Sequence, residues 1–239
     1  MKILLAFTLS LVIANTNAQY VHDSLKTATG YIHYYTKGKE NPVVLLPGGP
    51  GYSGYYMRGI SDSLQGYKTI LIDFQGTGHS LYKKPDSTWV NQDNMVQDVE
   101  LLRQHLHIDK WTVLGHSWAT HTALYYAIQH PKHTEKAILI ATAGTDNSFL
   151  KYYEDNINKN LTQQDMTELD SLSKDPSPNS LEISKVWFRG YFYDHDKASL
   201  LFANVPKKKS PICKTMCFLM HSYTIRISKP LISASGFML

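Results

Sequence analysis

Ser117 lies in the stretch LGHSWATH (residues 114–121), with a small residue two positions away on either side. A serine hydroxyl attacks an acyl group only when its geometry and a nearby base activate it. One solution places the serine on a sharp turn between a strand and a helix, where only small neighbours fit beside the strained backbone. Gly115 and Ala119 meet that requirement. The pattern predicts a nucleophilic serine, although such matches are common by chance, so its place in the chain decides its meaning.

A second glycine-rich stretch, LPGGPGYSG (46–54), follows the first apolar run of the chain. Acyl transfer needs backbone N–H groups aimed at the developing oxyanion, and glycines let a loop come that close to a substrate. The alternative is a glycine turn that binds nothing. A phosphate-binding loop is disfavoured, because the lysine and Ser/Thr of that motif do not follow.

The stretch DFQGTGHS (73–80) is expected to be structural. Its two glycines suit a tight turn, and Asp73 and Ser80 can bond to the backbone of that turn. His79 and His116 are the nearest candidates for a catalytic base, but a plain polar role is favoured for both.

The elements that must position these residues follow from the hydrophobic pattern. Four short runs are uniformly apolar, which indicates strands buried on both faces of a parallel sheet. They are residues 42–47, 68–74, 111–115 and 136–142. A hairpin is expected within residues 28–42. Helices are expected over 91–108, with one apolar stripe, and from Ser117 to His130, before Pro131. Alternating strands and helices predict a doubly wound, mostly parallel α/β fold.

These motifs, in this order and spacing, resemble the α/β-hydrolases, and most closely the proline iminopeptidase group, over roughly residues 27–145. The resemblance implies that Ser117 is the nucleophile and that the N–H groups of Gly49 and Trp118 form the oxyanion hole. It implies release of an N-terminal residue, often proline, through an acyl-serine intermediate, and neither a cofactor nor a metal. Hydrolysis of small acyl esters is the alternative. The chain departs from the family pattern at Pro47, at DFQG and at Ala119.

The triad acid and histidine are not identified by these motifs. In such hydrolases they follow the serine along the chain, after two late strands. Residues 227–239 resemble the first of those strands, but the acid is then expected at the position of Leu239. Asp146 and His221 are weak substitutes. The chain is therefore expected to be C-terminally truncated, and an inactive hydrolase is the further alternative.

Composition and the N-terminus predict the remaining properties. A chain of 239 residues that is 43% hydrophobic can bury a sizeable core, and its net charge of +4 gives little reason to expect nucleic acid as a partner.

Residues 1–18 have the layout of a secretory signal peptide, and their apolar stretch is too short for stable membrane insertion. A secreted or periplasmic protein is expected, with a small peptide or ester as its substrate and an unknown oligomeric state.

The expected domain order is a signal peptide (1–18), an N-terminal core (19–144), a helical lid insertion (145–205) and an incomplete C-terminal core segment (206–239). Acidic lid residues recognise the substrate's amino group in the resembling family. Candidates for that role are Glu154, Glu168, Glu182 and Asp194.

Overall fold

A computed structural model describes residues 19–49, 51–82, 91–142, 149–174, 180–195 and 197–198 of the chain. Within them, six strands form one sheet. The strands are β1 (Val21–Lys26), β2 (Tyr31–Lys37), β3 (Pro42–Leu46), β4 (Lys68–Asp73), β5 (Trp111–His116) and β6 (Thr134–Ile140). The segments 1–18 and 206–239, with the predicted signal peptide and late strand, lie outside the described residues.

The sheet order is β1-β2-β4-β3-β5-β6, and the last four strands in that order are parallel. The four strands predicted from the apolar runs are confirmed, to within about two residues. The hairpin predicted within residues 28–42 is wrong in its bounds, because only its second strand, β2, lies there, and the first strand is β1, which begins at Val21. β2 then pairs antiparallel with β4 and joins the hairpin to the parallel strands.

Six helices accompany the sheet in the described ranges. They are α1 (Arg58–Ser63), α2 (Gln92–His105), α3 (Ala119–Gln129), α4 (Phe149–Asn160), α5 (Gln163–Ser173) and α6 (Ser180–Trp187). The Asn91 side chain caps α2 by accepting the N–H of Asn94. The predicted apolar stripe of α2 is confirmed, since Met95, Val99 and Leu102 are all buried.

Two apolar clusters cover the two faces of the sheet, which is what a doubly wound fold requires. One contains the buried side of α2 and α3 together with Trp111. The other places Met57 and the partly buried Ile60 against Leu45 and Leu71. The sheet is therefore held between helices, and the carboxyl ends of β3 and β5 are brought side by side.

The helices α4, α5 and α6 follow β6 in the segment predicted to be an inserted lid. Thr162 and Asp165 form a capping box at the start of α5. Arg189 ties this cap to the short 3₁₀ helix Phe188–Tyr191, by bonding to Asp165 at 2.6 Å. The helical character is confirmed, while the role as a lid stays a prediction. Among the described helices, none is both long and apolar enough to cross a membrane.

Candidate active site

Ser117 lies on the turn between β5 and α3 and has a backbone φ of +53°. L-residues rarely adopt this left-handed region, and a strained residue here points to a site rather than to ordinary packing. The turn is fixed from both sides. The Ser117 N–H donates to the carbonyl of Ile140 at 2.9 Å. The Ser117 carbonyl accepts the N–H of Thr120 at 3.0 Å and the Thr120 hydroxyl at 2.6 Å.

The size requirement around the serine is steric and severe. A Cβ added at Gly115 would lie 2.5 Å from the Ala119 carbonyl oxygen and 2.9 Å from the Cβ of Ala123. Ala119 itself is completely buried. The alanine that replaces the usual last glycine is therefore accommodated, because the close contact falls on its backbone.

The glycine loop after β3 lies directly against this turn. A Cβ added at Gly48 would meet the Cβ of Ser117 at 2.9 Å and the carbonyl oxygen of His116 at 2.7 Å. Gly49 has a φ of +127°, which favours glycine. The structure thus brings the predicted oxyanion loop and Ser117 together. Trp118 is buried and occupies the N-cap position of α3, directly after the serine.

The turn at residues 73–80 is bonded to the end of the glycine-rich stretch 46–54 through Asp73. Asp73 is fully buried; its Oδ1 accepts the Ser53 hydroxyl at 2.6 Å and the Gly54 N–H at 2.8 Å. Its Oδ2 accepts the N–H of His79 at 2.9 Å. One carboxylate therefore fixes both its own turn and the start of the 3₁₀ helix Gly54–Met57, in agreement with the structural role predicted for it.

The two nearby histidines make polar contacts with tyrosines. His79 Nδ1 lies 2.8 Å from the Tyr35 hydroxyl, and His116 Nδ1 lies 2.7 Å from the Tyr56 hydroxyl. Burial lowers the pKa of His116 and keeps its imidazole neutral near pH 7. The contact between His116 and Tyr56 carried no signal in the sequence, because the two residues are 60 positions apart.

A base for Ser117 is not found among the described residues, where no imidazole makes a hydrogen bond to its hydroxyl. Asp146 and His221, the weak candidates for the acid and the base, both lie outside those ranges. No group of three or more His, Cys, Asp or Glu side chains in the described part of the chain is arranged to hold a metal ion.

Three of the four acids considered for recognising an amino group already have cationic partners. Glu168 accepts a bond from Arg189 at 2.9 Å, and Glu182 accepts one from Lys185 at 2.7 Å. Asp194 lies 3.6 Å from the Lys197 ammonium group. The side chain of Glu154 lies outside the described part of the structure.

Comparison with known proteins identifies the same fold family that the sequence motifs resemble. The family model described as alpha/beta hydrolase fold matches residues 41–200. A putative proline iminopeptidase from Mycoplasma genitalium is 39% identical over 120 residues, which are 46% of this chain and 36% of that protein. A proline iminopeptidase from Xylella fastidiosa is 39% identical over 101 residues, 41% of this chain and 31% of its own length. The matched part thus spans about a third of these relatives.

Solved structures show the same fold at low identity. A putative alpha/beta hydrolase from Nostoc sp. PCC 7120 has a TM-score of 0.56 at 19% identity, over 82% of this chain and 70% of its own. A proline iminopeptidase-related protein from Thermus thermophilus has a TM-score of 0.50 at 20% identity, over 72% and 60% of the two chains.

Proposed function

Because this chain belongs to the α/β-hydrolase fold family, we propose that it is a serine hydrolase that uses Ser117 as its nucleophile. The observation that carries the proposal is the strained backbone of Ser117, which has a φ of +53° and lies in a turn beside the glycine loop. In this arrangement the hydroxyl attacks an acyl carbon. The N–H groups of Gly49 and Trp118 stabilise the resulting oxyanion, whose collapse expels the amine or alcohol of the substrate with the proton that the serine hydroxyl loses. Water then attacks the acyl-serine, which releases the acid and restores the hydroxyl.

The substrate class that we propose is a peptide with a free N-terminus, from which the enzyme releases the first residue. The relatives named as proline iminopeptidases support this choice, with identities of 39% over the matched segments. An acidic group is needed to bind the substrate's ammonium ion. Since Glu168 and Glu182 already pair with cations, a substrate must compete with those pairs or use another acid.

Export is proposed as part of the same function. The supporting feature is residues 1–18, where one lysine precedes an apolar stretch and a small-residue end at Ala18. A protein outside the cytoplasm would act on short peptides or esters from its surroundings. Expression with and without residues 1–18, followed by fractionation, tests this point. Retention of the whole chain in the cytoplasm contradicts it.

A panel of chromogenic substrates tests the catalytic proposal. Proline p-nitroanilide represents the peptidase reaction, and p-nitrophenyl acetate represents an esterase. We expect Ser117→Ala to abolish turnover, while Ser63→Ala, an exposed serine on α1, serves as the matched control and retains it. Turnover of the ester alone selects the esterase. Turnover that survives Ser117→Ala contradicts the proposed nucleophile.

A non-catalytic ligand-binding hydrolase is the second candidate. The observation that favours it is the lack, among the described residues, of an imidazole bonded to Ser117. It predicts no turnover of either substrate, together with retained binding of a peptide in calorimetry.

A further inference from the structure

We propose that Tyr56 is a positioning residue that holds the glycine loop after β3 in register with the serine turn. The proposal deepens the proposed function and rests on it, because the loop matters catalytically only if Ser117 is the nucleophile. Tyr56 belongs to neither of the two motifs that predicted the site. It lies on the 3₁₀ helix Gly54–Met57, just beyond the end of the glycine-rich stretch 46–54.

The Tyr56 hydroxyl bridges the two halves of the site. The Gly48 N–H donates to it at 2.7 Å, and His116 Nδ1 lies 2.7 Å from it on the other side. Gly48 belongs to the oxyanion loop, and His116 is the residue before Ser117. One side chain therefore connects the backbone of the loop to the residue that precedes the nucleophile.

The two bonds of the Tyr56 hydroxyl can be assigned a donor and an acceptor each. The hydroxyl accepts the Gly48 N–H and donates its own proton to the neutral imidazole at Nδ1. Tyr56 is 44% exposed, but desolvation at its hydroxyl raises its pKa to about 12 against the opposing effect of the Gly48 N–H, so the donor proton stays in place at neutral pH. Burial also lowers the pKa of His116, which favours the neutral acceptor.

The contact orients the start of the loop, at the first peptide after β3. Pro47 has no N–H, so Gly48 provides the first backbone donor after β3. Gly48 lies so close to the turn that a Cβ added to it would clash with the Cβ of Ser117 at 2.9 Å. The bond to Tyr56 then fixes the plane of the Pro47–Gly48 peptide, which is the starting point from which Gly48 leads the chain to the Gly49 N–H.

The 3₁₀ helix that carries Tyr56 is itself anchored. Asp73 accepts both the Ser53 hydroxyl and the Gly54 N–H, at 2.6 and 2.8 Å. Oxyanion stabilisation depends on donors placed in advance at the position of the developing charge, so a loop free to rotate loses much of its effect. Tyr56 therefore links the loop to the sheet, because its 3₁₀ helix is bonded to Asp73 at the end of β4 and its hydroxyl is bonded to Gly48.

The test compares Tyr56→Phe with its neighbour Tyr55→Phe in the full chain. A fluorophosphonate probe reports the reactivity of Ser117, with its binding constant and its inactivation rate measured separately. We expect Tyr56→Phe to slow the inactivation step by about 10- to 100-fold, with the binding constant within about threefold of wild type. Tyr55→Phe is expected to match wild type. An unchanged inactivation rate in Tyr56→Phe overturns the proposal.

A second measurement is independent of serine reactivity. Nuclear magnetic resonance gives the exchange rate of the Gly48 amide and the chemical shift of His116 Nδ1. In Tyr56→Phe we expect Gly48 to exchange at least about 10-fold faster and the His116 nitrogen to shift, at an unchanged urea midpoint. If wild type is not labelled at all, the proposed function fails, and these two signals still decide whether Tyr56 holds the loop. Unchanged signals overturn it.

Discussion

The sheet region (β1–β6 with α1–α3) and the helical region after β6 (α4–α6) each hold a buried carboxylate, Asp98 and Asp165, and these two carboxylates have opposite kinds of partner. In the sheet region, Asp98 on α2 accepts bonds from neutral donors, the backbone and side-chain amides of Gln75. Burial outweighs these bonds and raises the pKa of Asp98 to about 6. In the helical region burial also disfavours the charge of Asp165, but bonds from Thr162 and Arg189 prevail and lower its pKa to about 2.

The difference lies in the partner, because both carboxylates are buried. A cation beside Asp165 stabilises its charge, whereas an amide beside Asp98 does so only in part. Gln75 stands at the position where the resembling family has arginine, in DFQG rather than DQRG. Steric fit at the serine turn and neutral hydrogen bonds at Asp98 thus contrast with the ion pair of Asp165. The contrast concerns these sites, because Glu100 on α2 also pairs with a cation, Arg103, at 2.7 Å.

The largest expected effect tests steric fit in the sheet region. Gly115→Val adds a Cβ only 2.5 Å from a backbone oxygen, so we expect the free energy of unfolding to fall by about 3 kcal/mol. Gly59→Ala is the control, because nothing lies within 4 Å of its added Cβ. Urea denaturation measures both. Equal stability of the two variants would contradict the claim that close packing holds the turn.

The pH dependence of Asp98 is the next largest effect. Its folded pKa is above the unfolded value, so the stability that it contributes is present below about pH 4 and is lost as the pH rises through 6. Asp98→Asn does not titrate. Relative to wild type, this variant should therefore gain about 2 kcal/mol between pH 4 and pH 8. The exposed Asp93→Asn on the same helix is the control, and a similar gain there would remove Asp98 as the cause.

Removal of the cation tests the helical region. Arg189→Gln leaves Asp165 with its Thr162 bonds and with His195, whose Nδ1 lies 3.6 Å from Oδ2. We expect a loss of about 1.5 kcal/mol at pH 7, because Arg189 is itself partly exposed. Lys174→Gln, which breaks an exposed pair with Asp170, should cost less than about 0.5 kcal/mol. If the two variants lose equal stability, the ion pair of Asp165 is no more important than a surface contact.

The smallest expected effect comes from giving Asp98 a cationic partner like that of Asp165. Gln75→Arg places a cation beside Asp98, and the pKa of Asp98 should fall by about one. The chemical shift of its carboxyl carbon, followed through a pH titration, measures the change. Thr27 and Thr29, whose hydroxyls donate to Gln75, lose their acceptor, so Gln75→Leu is the matched control for that loss. A pKa that does not fall would show that the missing cation is not the cause.

The sequence predicted the elements whose side chains repeat with a clear period. The four parallel strands were visible because both of their faces are apolar, and α2 because Met95, Val99 and Leu102 share one face. The strand β1 was missed as part of the hairpin. Its sequence, VHDSLK, is mostly polar and most of its residues are exposed, so it carries little hydrophobic pattern.

The site was predictable only where its geometry depends on local sequence. Ser117 and its small neighbours form one turn, and the motif specifies that turn. The contacts of Tyr56 with His116, and of Gln75 with Asp98, join residues that are distant in the chain. No spacing rule encodes such contacts, because they depend on how the strands are ordered in the sheet.

The most direct test of the central claim is the mass of the peptide that contains Ser117 after reaction with a fluorophosphonate. We predict that the probe's mass is added to Ser117 and that no adduct forms in Ser117→Ala. A wild-type chain that carries no adduct, or carries it on another residue, would contradict the assignment of Ser117 as the nucleophile.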